Sequence, residues 1–147
     1  MNTWLIVLVI LAVAALLWAY FTAQRLNRLH IRTDAARRSL EAALNRRAAV
    51  LSALEPGAGK VADRAEAIDL TYGNFRERAA AEREVTQAVA ALGAEPPSRI
   101  VDANVRVELA LRFYNEAVAD TRALRLRLAV KYTRLRGTAA LPEFFEL

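Results

Sequence analysis

From Trp4 to Phe21 the chain runs without a break through apolar and aromatic residues, and no charged side chain occurs before Arg25. As a helix this run covers about 27 Å, close to the roughly 30 Å hydrocarbon core of a bilayer. Every face of the helix is apolar, so it lacks the polar stripe of a core helix in a soluble domain. Trp4 stands at one end of the run and Trp18, Tyr20 and Phe21 at the other, where amphipathic rings favour the headgroup level. A cleaved signal peptide would need a basic leader, but only Asn2 and Thr3 precede the run. It would also need a small-residue cleavage site, which Ala19-Tyr20-Phe21-Thr22-Ala23 does not provide. Residues 1–24 are therefore expected to be a retained transmembrane anchor. Ala15, Ala19 and Ala23 stand at four-residue spacing, the pattern of a helix-pairing face, though composition alone is the favoured explanation in so Ala-rich a chain.

The flanks set an orientation. Arg25, Arg28, Arg32, Arg37, Arg38, Arg46 and Arg47 follow the run and no basic side chain precedes it, so the positive-inside bias keeps everything after it in the cytoplasm. The expected topology is single-pass, with a short external N-terminus.

Three breaks divide the remainder. Glu55-Pro56-Gly57-Ala58-Gly59 stops a helix because Pro lacks the amide donor and Gly relaxes the backbone. Gly93-Ala94-Glu95-Pro96-Pro97-Ser98 is the second break, with Ser98 as N-cap. Gly137 is the third, a stop after Arg134 and Arg136. Between them apolar residues recur at three- and four-residue steps. The first helix offers Leu26, Leu29, Ala36, Leu40, Leu44, Ala48 and Leu51. The second offers Val61, Ala65, Ile68, Tyr72, Phe75, Ala79, Val85, Val89 and Leu92. The third offers Val107, Leu111, Tyr114, Val118, Leu128, Tyr132 and Leu135, interrupted at Thr121 and Arg125. Strand alternation persists nowhere, so the fold class is all-α.

Residues 26–54, 60–92 and 99–135 would measure about 44, 50 and 56 Å as helices. Rods of similar length joined by short links fold back as an antiparallel bundle. Tyr72-Gly73-Asn74 offers a place to split the second rod, which would make the bundle four-helical. Nothing breaks the chain between Phe21 and Leu54, so the anchor should continue into the first rod. On that layout the second rod returns towards the membrane, the third leaves it, and the C-terminal tail lies at the far end. The expected organisation is an anchor over 1–24, a bundle over 25–136 and a tail over 137–147.

Charge and composition narrow the chemistry. The net charge of +5 resides in residues 25–47, where seven Arg face only Asp34 and Glu41. Residues 48–98 are acidic and 99–147 basic, so the middle of the chain can pair with both flanks. The absence of Cys removes disulfides, thiol nucleophiles and Cys-based zinc sites, and a single histidine, His30, leaves few metal ligands or general bases. Gly57-Ala58-Gly59-Lys60 lacks the Gly, the Ser or Thr and the preceding strand of a phosphate loop, since Leu54 and Val61 occupy the two key positions. No catalytic, metal-binding or cofactor-binding residues are assigned. Nucleic acid is disfavoured as a partner because the Arg run is rooted beside the apolar segment and carries few aromatic residues for base stacking. At the lipid surface only Arg25, Arg28 and Arg32 stand close enough to feel anionic headgroups across a Debye length of about 8 Å.

Arg112-Phe113-Tyr114-Asn115-Glu116-Ala117-Val118 and the ending Leu141-Pro142-Glu143-Phe144-Phe145-Glu146, placed behind one span, resemble the LemA family of bacterial membrane proteins. Arg28-Leu29-His30-Ile31-Arg32-Thr33-Asp34-Ala35-Ala36 and Arg46-Arg47 resemble that family's stretch after its span. The resemblance covers nearly the whole chain, residues 56–98 in helical character only. Where family members often carry a second Tyr-Asn, this chain has Asp120-Thr121. The resemblance implies a helical bundle anchored in the bacterial cytoplasmic membrane and facing the cytoplasm, and it supplies no enzymatic activity. Arg112, Tyr114, Asn115, Ala117, Val118, Phe144 and Phe145 become the candidate partner surface. For Tyr114 and Asn115 the alternative is a core Tyr with a neighbouring Asn satisfying buried polar groups; for Phe144 and Phe145 it is a cap on the bundle. The expected function is a noncatalytic scaffold, with membrane-associated proteins or further copies of itself as partners and no small-molecule substrate. The runner-up is a sensor or organiser of anionic lipid.

Overall fold

The computed structural model describes residues 2–131 and 141–147; Tyr132, Leu135 and the Gly137 stop lie outside the described residues. The first helix, α1, is Thr3–Leu54, followed by a 3-10 turn at Pro56–Ala58. The others are α2 (Gly59–Glu66), α3 (Phe75–Ala90) and α4 (Ser98–Lys131). Among the described residues there is no strand, and the chain is an all-α bundle of four helices.

α1 runs 52 residues without interruption, about 78 Å. Its N-terminal part contains a stretch long and apolar enough to cross a membrane, none of it buried by the rest of the protein. Farther along, Leu40, Leu44, Ala48 and Leu51 are fully buried at three- and four-residue steps, the stripe that helix periodicity demands. Leu26, Leu29 and Ala36 are only half-buried. The helix ends at Glu55, whose extended backbone breaks the pattern and whose carboxylate accepts from Gly57 N at 3.3 Å.

The second rod is split. Residues 67–74 leave helical geometry between α2 and α3. Gly73 sits inside this segment but is not its cause: it has no left-handed φ, and its missing Cβ faces open space. Instead, side chains from the neighbouring helices hold the loop's backbone. Glu41 accepts from Leu70 N at 2.7 Å, while Arg37 donates to Leu70 O and Arg78 to Ile68 O. A helix continuing through 67–74 would claim those backbone groups for itself. Gly93 is different, since its φ of +106° lies where L side chains are strained, and it turns the chain after α3.

Two core clusters show the path of the chain. Leu51, Ala58, Ala65, Val85, Val89, Ile100 and Ala103 pack together at the end distal to the apolar segment. Leu40, Leu44, Leu70, Phe75, Val107, Tyr114, Val118 and Phe145 pack nearer to it. α2 therefore comes back from the distal end, α3 goes out again, and α4 descends alongside α1 until Arg125 Nη2 lies 3.1 Å from His30 Nε2. This corrects the expected layout. Splitting the second rod adds one reversal of direction, so α4 runs towards the apolar segment. Residues 141–147 lie against the middle of the bundle. Ser98 is the first residue of α4, one place inside its expected cap position; the Pro97 carbonyl accepts from both Ile100 and Val101. Tyr72, expected in the core, is 46% exposed, whereas Thr121, expected as an interruption, is fully buried.

Candidate functional site

The Tyr-Asn element of α4 and the double-Phe tail, far apart in sequence, meet. Residues 141–147 carry no regular structure, so their backbone groups need partners from elsewhere. Three side chains of α4 supply them. Arg122 Nε donates to Pro142 O at 2.8 Å, and Tyr114 Oη donates to Glu143 O at 2.7 Å. Asn115 engages both backbone groups of Phe145, donating to its carbonyl and accepting from its amide, each at 3.1 Å. An Asn side chain thus serves the tail as one residue of a β-strand serves its neighbour.

The rings add apolar contact. Phe145, 1% exposed, packs edge-on against Phe75 at 5.4 Å, and Phe75 meets Tyr114 at 6.0 Å and Tyr72 at 5.4 Å. Phe144 points the other way, 42% exposed, with the Arg122 guanidinium 4.7 Å above its ring. Burial and the neighbouring Tyr72 push the Tyr114 hydroxyl well above the usual tyrosine range, so it is a proton donor at every physiological pH.

Tyr114, Ala117, Val118 and Phe145 are interior residues, which removes them from any exposed partner surface. Arg112 stays outside, paired with Glu116 at 3.0 Å, and Phe144 stays half outside. Nothing in the sequence marks Arg122 or Phe75 as parts of this cradle: Arg122 stands on its helix as any surface Arg would. Asp120 and Thr121 both engage α1. Asp120 pairs with Arg32 at 3.3 Å, and Thr121 meets the buried Thr33 hydroxyl at 3.0 Å. Arg32 therefore has a protein partner, while Arg25 and Arg28 are exposed and have no ion pair among the described residues.

Below the cradle the core holds charge. Glu82, fully buried, takes Arg78 Nε on one oxygen at 2.9 Å and Arg47 Nη2 on the other at 2.7 Å. Arg78, also fully buried, donates in addition to Asn45 Oδ1 at 2.6 Å. Two guanidiniums around one carboxylate leave this cluster net positive, and Arg47 Nε has no hydrogen-bond partner among the described residues. At the distal end an open groove of about 480 Å³ between α1 and α4 is lined by Arg46, Ala49, Val50, Ala53, Arg99 and Asp102. Among the described residues no three His, Asp or Glu side chains lie close enough together to hold a metal ion.

One more surface stands out. Val101, Val105, Leu109 and Phe113 follow one another at four-residue spacing on the outer face of α4, each between 44% and 56% exposed. They form an apolar ridge about 18 Å long on the side turned away from the core. Comparison of the chain with protein-family models, with curated proteins and with solved structures found no match.

Proposed function

We propose that the protein is a noncatalytic scaffold of the LemA type: a single span fixes it in the bacterial cytoplasmic membrane and presents the bundle, on the cytoplasmic side, to membrane-associated protein partners. The observation that carries this reading is the ridge Val101–Val105–Leu109–Phe113. Among the described residues the inward apolar stripes of α1, α3 and α4 are buried or half-buried, and a contiguous exposed one is what a partner helix requires. A photo-crosslinking residue at Leu109 in cell membranes is expected to give a discrete protein adduct that the same residue at the exposed Glu66 does not. The adduct should disappear with Val105→Glu while the helical circular dichroism signal stays. Adducts of equal yield and identity at both sites would refute the reading.

A second reading, an organiser of anionic lipid, has an observation of its own. The descent of α4 brings Arg125 beside His30, and Arg127 lies farther along towards the apolar segment. Arg25 and Arg28 are thereby joined by basic residues from the opposite end of the chain. Cosedimentation of the full chain's cytoplasmic portion with phosphatidylserine vesicles, lost at high salt and with Arg25→Ala plus Arg28→Ala, would favour it.

A further inference from the structure

We propose that the cradle formed by Tyr114, Asn115, Arg122 and Phe75 is a receptor for an extended tail, and that the tail of a second copy of this chain occupies it when copies are crowded in one membrane. The cradle's hydrogen bonds go to backbone atoms of Pro142, Glu143 and Phe145, with Phe145 as the ring it buries. Such contacts are those of a bound peptide, in which main-chain bonds give affinity and one or two pockets give selectivity. A peptide of the right sequence is carried by every other copy. Exchanging tails between two copies keeps every one of these contacts, which is why swapping is a low-cost route to a dimer.

Anchoring strengthens the case. α1 is continuous from the apolar segment into the bundle, so the cradle stands at a fixed distance from the bilayer in every copy, about 28 Å along the helix from Phe21 to Leu40. Copies in one bilayer then present tail and cradle at the same height, and lateral approach alone brings them together. This rests on the scaffold reading only for the shared membrane. It concerns a different surface from the ridge of α4, so the two can fail separately.

Two full-length variants test it by complementation. Asn115→Ala spoils the cradle and keeps the tail; Phe145→Ala spoils the tail and keeps the cradle. With a label at Lys60→Cys, an exposed position in a chain that has no cysteine of its own, the variants are reconstituted in vesicles as energy-transfer donor and acceptor. The mixed pair is expected to transfer at least threefold more than either variant with itself, and an excess of the free peptide of residues 141–147 should abolish the difference. Equal transfer in mixed and single-variant vesicles overturns the proposal. If Phe145→Ala loses its helical signal, Phe145→Leu takes its place, and unfolding of that variant too would make the tail an inseparable part of the bundle, which also overturns it.

Discussion

Glu82→Gln tests whether the buried charges are structurally coupled. Gln keeps the shape and one acceptor, but it puts an amide N–H group against one guanidinium and removes the charge that two of them share. Both arginines stay inside, Arg78 fully buried and Arg47 only 5% exposed, so neither can recover its hydration by a rotamer change. Breaking a buried pair in this way costs about 3–5 kcal/mol, against a typical domain stability of about 5–15 kcal/mol. With a urea slope of about 1.5 kcal/mol/M, the unfolding midpoint should fall by roughly 2–3 M. Arg64→Ala is the control. Its pair with Glu84 spans 3.1 Å but is 63% and 49% exposed, and such a pair contributes about 0–1 kcal/mol. Circular dichroism at 222 nm on the full chain in micelles reads both. Amide exchange at Leu70 adds a local check, because Arg78 also holds the Ile68 carbonyl and a shifted Arg78 should loosen that loop. A Glu82→Gln midpoint no lower than that of Arg64→Ala would refute the coupling.

Two further predictions concern pH. Hydrogen bonding from Arg37, with added attraction from Arg37 and Arg38, holds the Asp34 carboxyl below its ordinary value of 3.8. Its stabilisation is present above pH 3.8 and is lost as pH falls through the lower folded-state value; Asp34→Asn should flatten that part of the acid-denaturation curve, and an unchanged curve would count against the contact. Tyr114 is shifted the other way: above about pH 10 the unfolded chain gives up this proton while the folded chain keeps it, so stability falls as pH rises. Tyr114→Phe should be less stable at neutral pH, having lost the bond to Glu143, yet show a shallower alkaline decline in thermal melts. An equally steep decline would place the titrating group elsewhere.

The periodic apolar positions made the helices legible in the sequence, and the uncharged run made the apolar segment legible. Both are local properties, set by residues a few places apart. The direction of α4 was not legible, because it depends on whether 67–74 is helical. That is decided by Arg37, Glu41 and Arg78, which reach the loop from other helices. The motif pairing Tyr114 and Asn115 with the tail was visible as two unusual elements, but not as one site. Nothing in either element states that Asn115 will be 3.1 Å from both backbone groups of Phe145.

Charge shows the limit of local reading most sharply. Arg78–Glu82, Asp102–Arg106 and Arg112–Glu116 are all pairs of opposite charge four residues apart on a helix, with distances of 2.9, 2.9 and 3.0 Å. Arg78–Glu82 and Arg112–Glu116 even share the same order of charges, yet the first pair is fully buried and the members of the others are at least half exposed. The difference lies in what surrounds them. Ala48, Ala62, Ala65 and Ala79 are buried, and side chains this small supply little bulk to a core. Arg78 is among the largest fully buried side chains, in company with Tyr114 and Phe145. The long Arg78 stem carries apolar surface into the core while Glu82, Asn45 and the Ile68 carbonyl satisfy its head. Phe145 does the same from the tail. The core therefore combines small alanines with bulk from unusual sources, a buried guanidinium and the ring of a peptide that is not part of any helix.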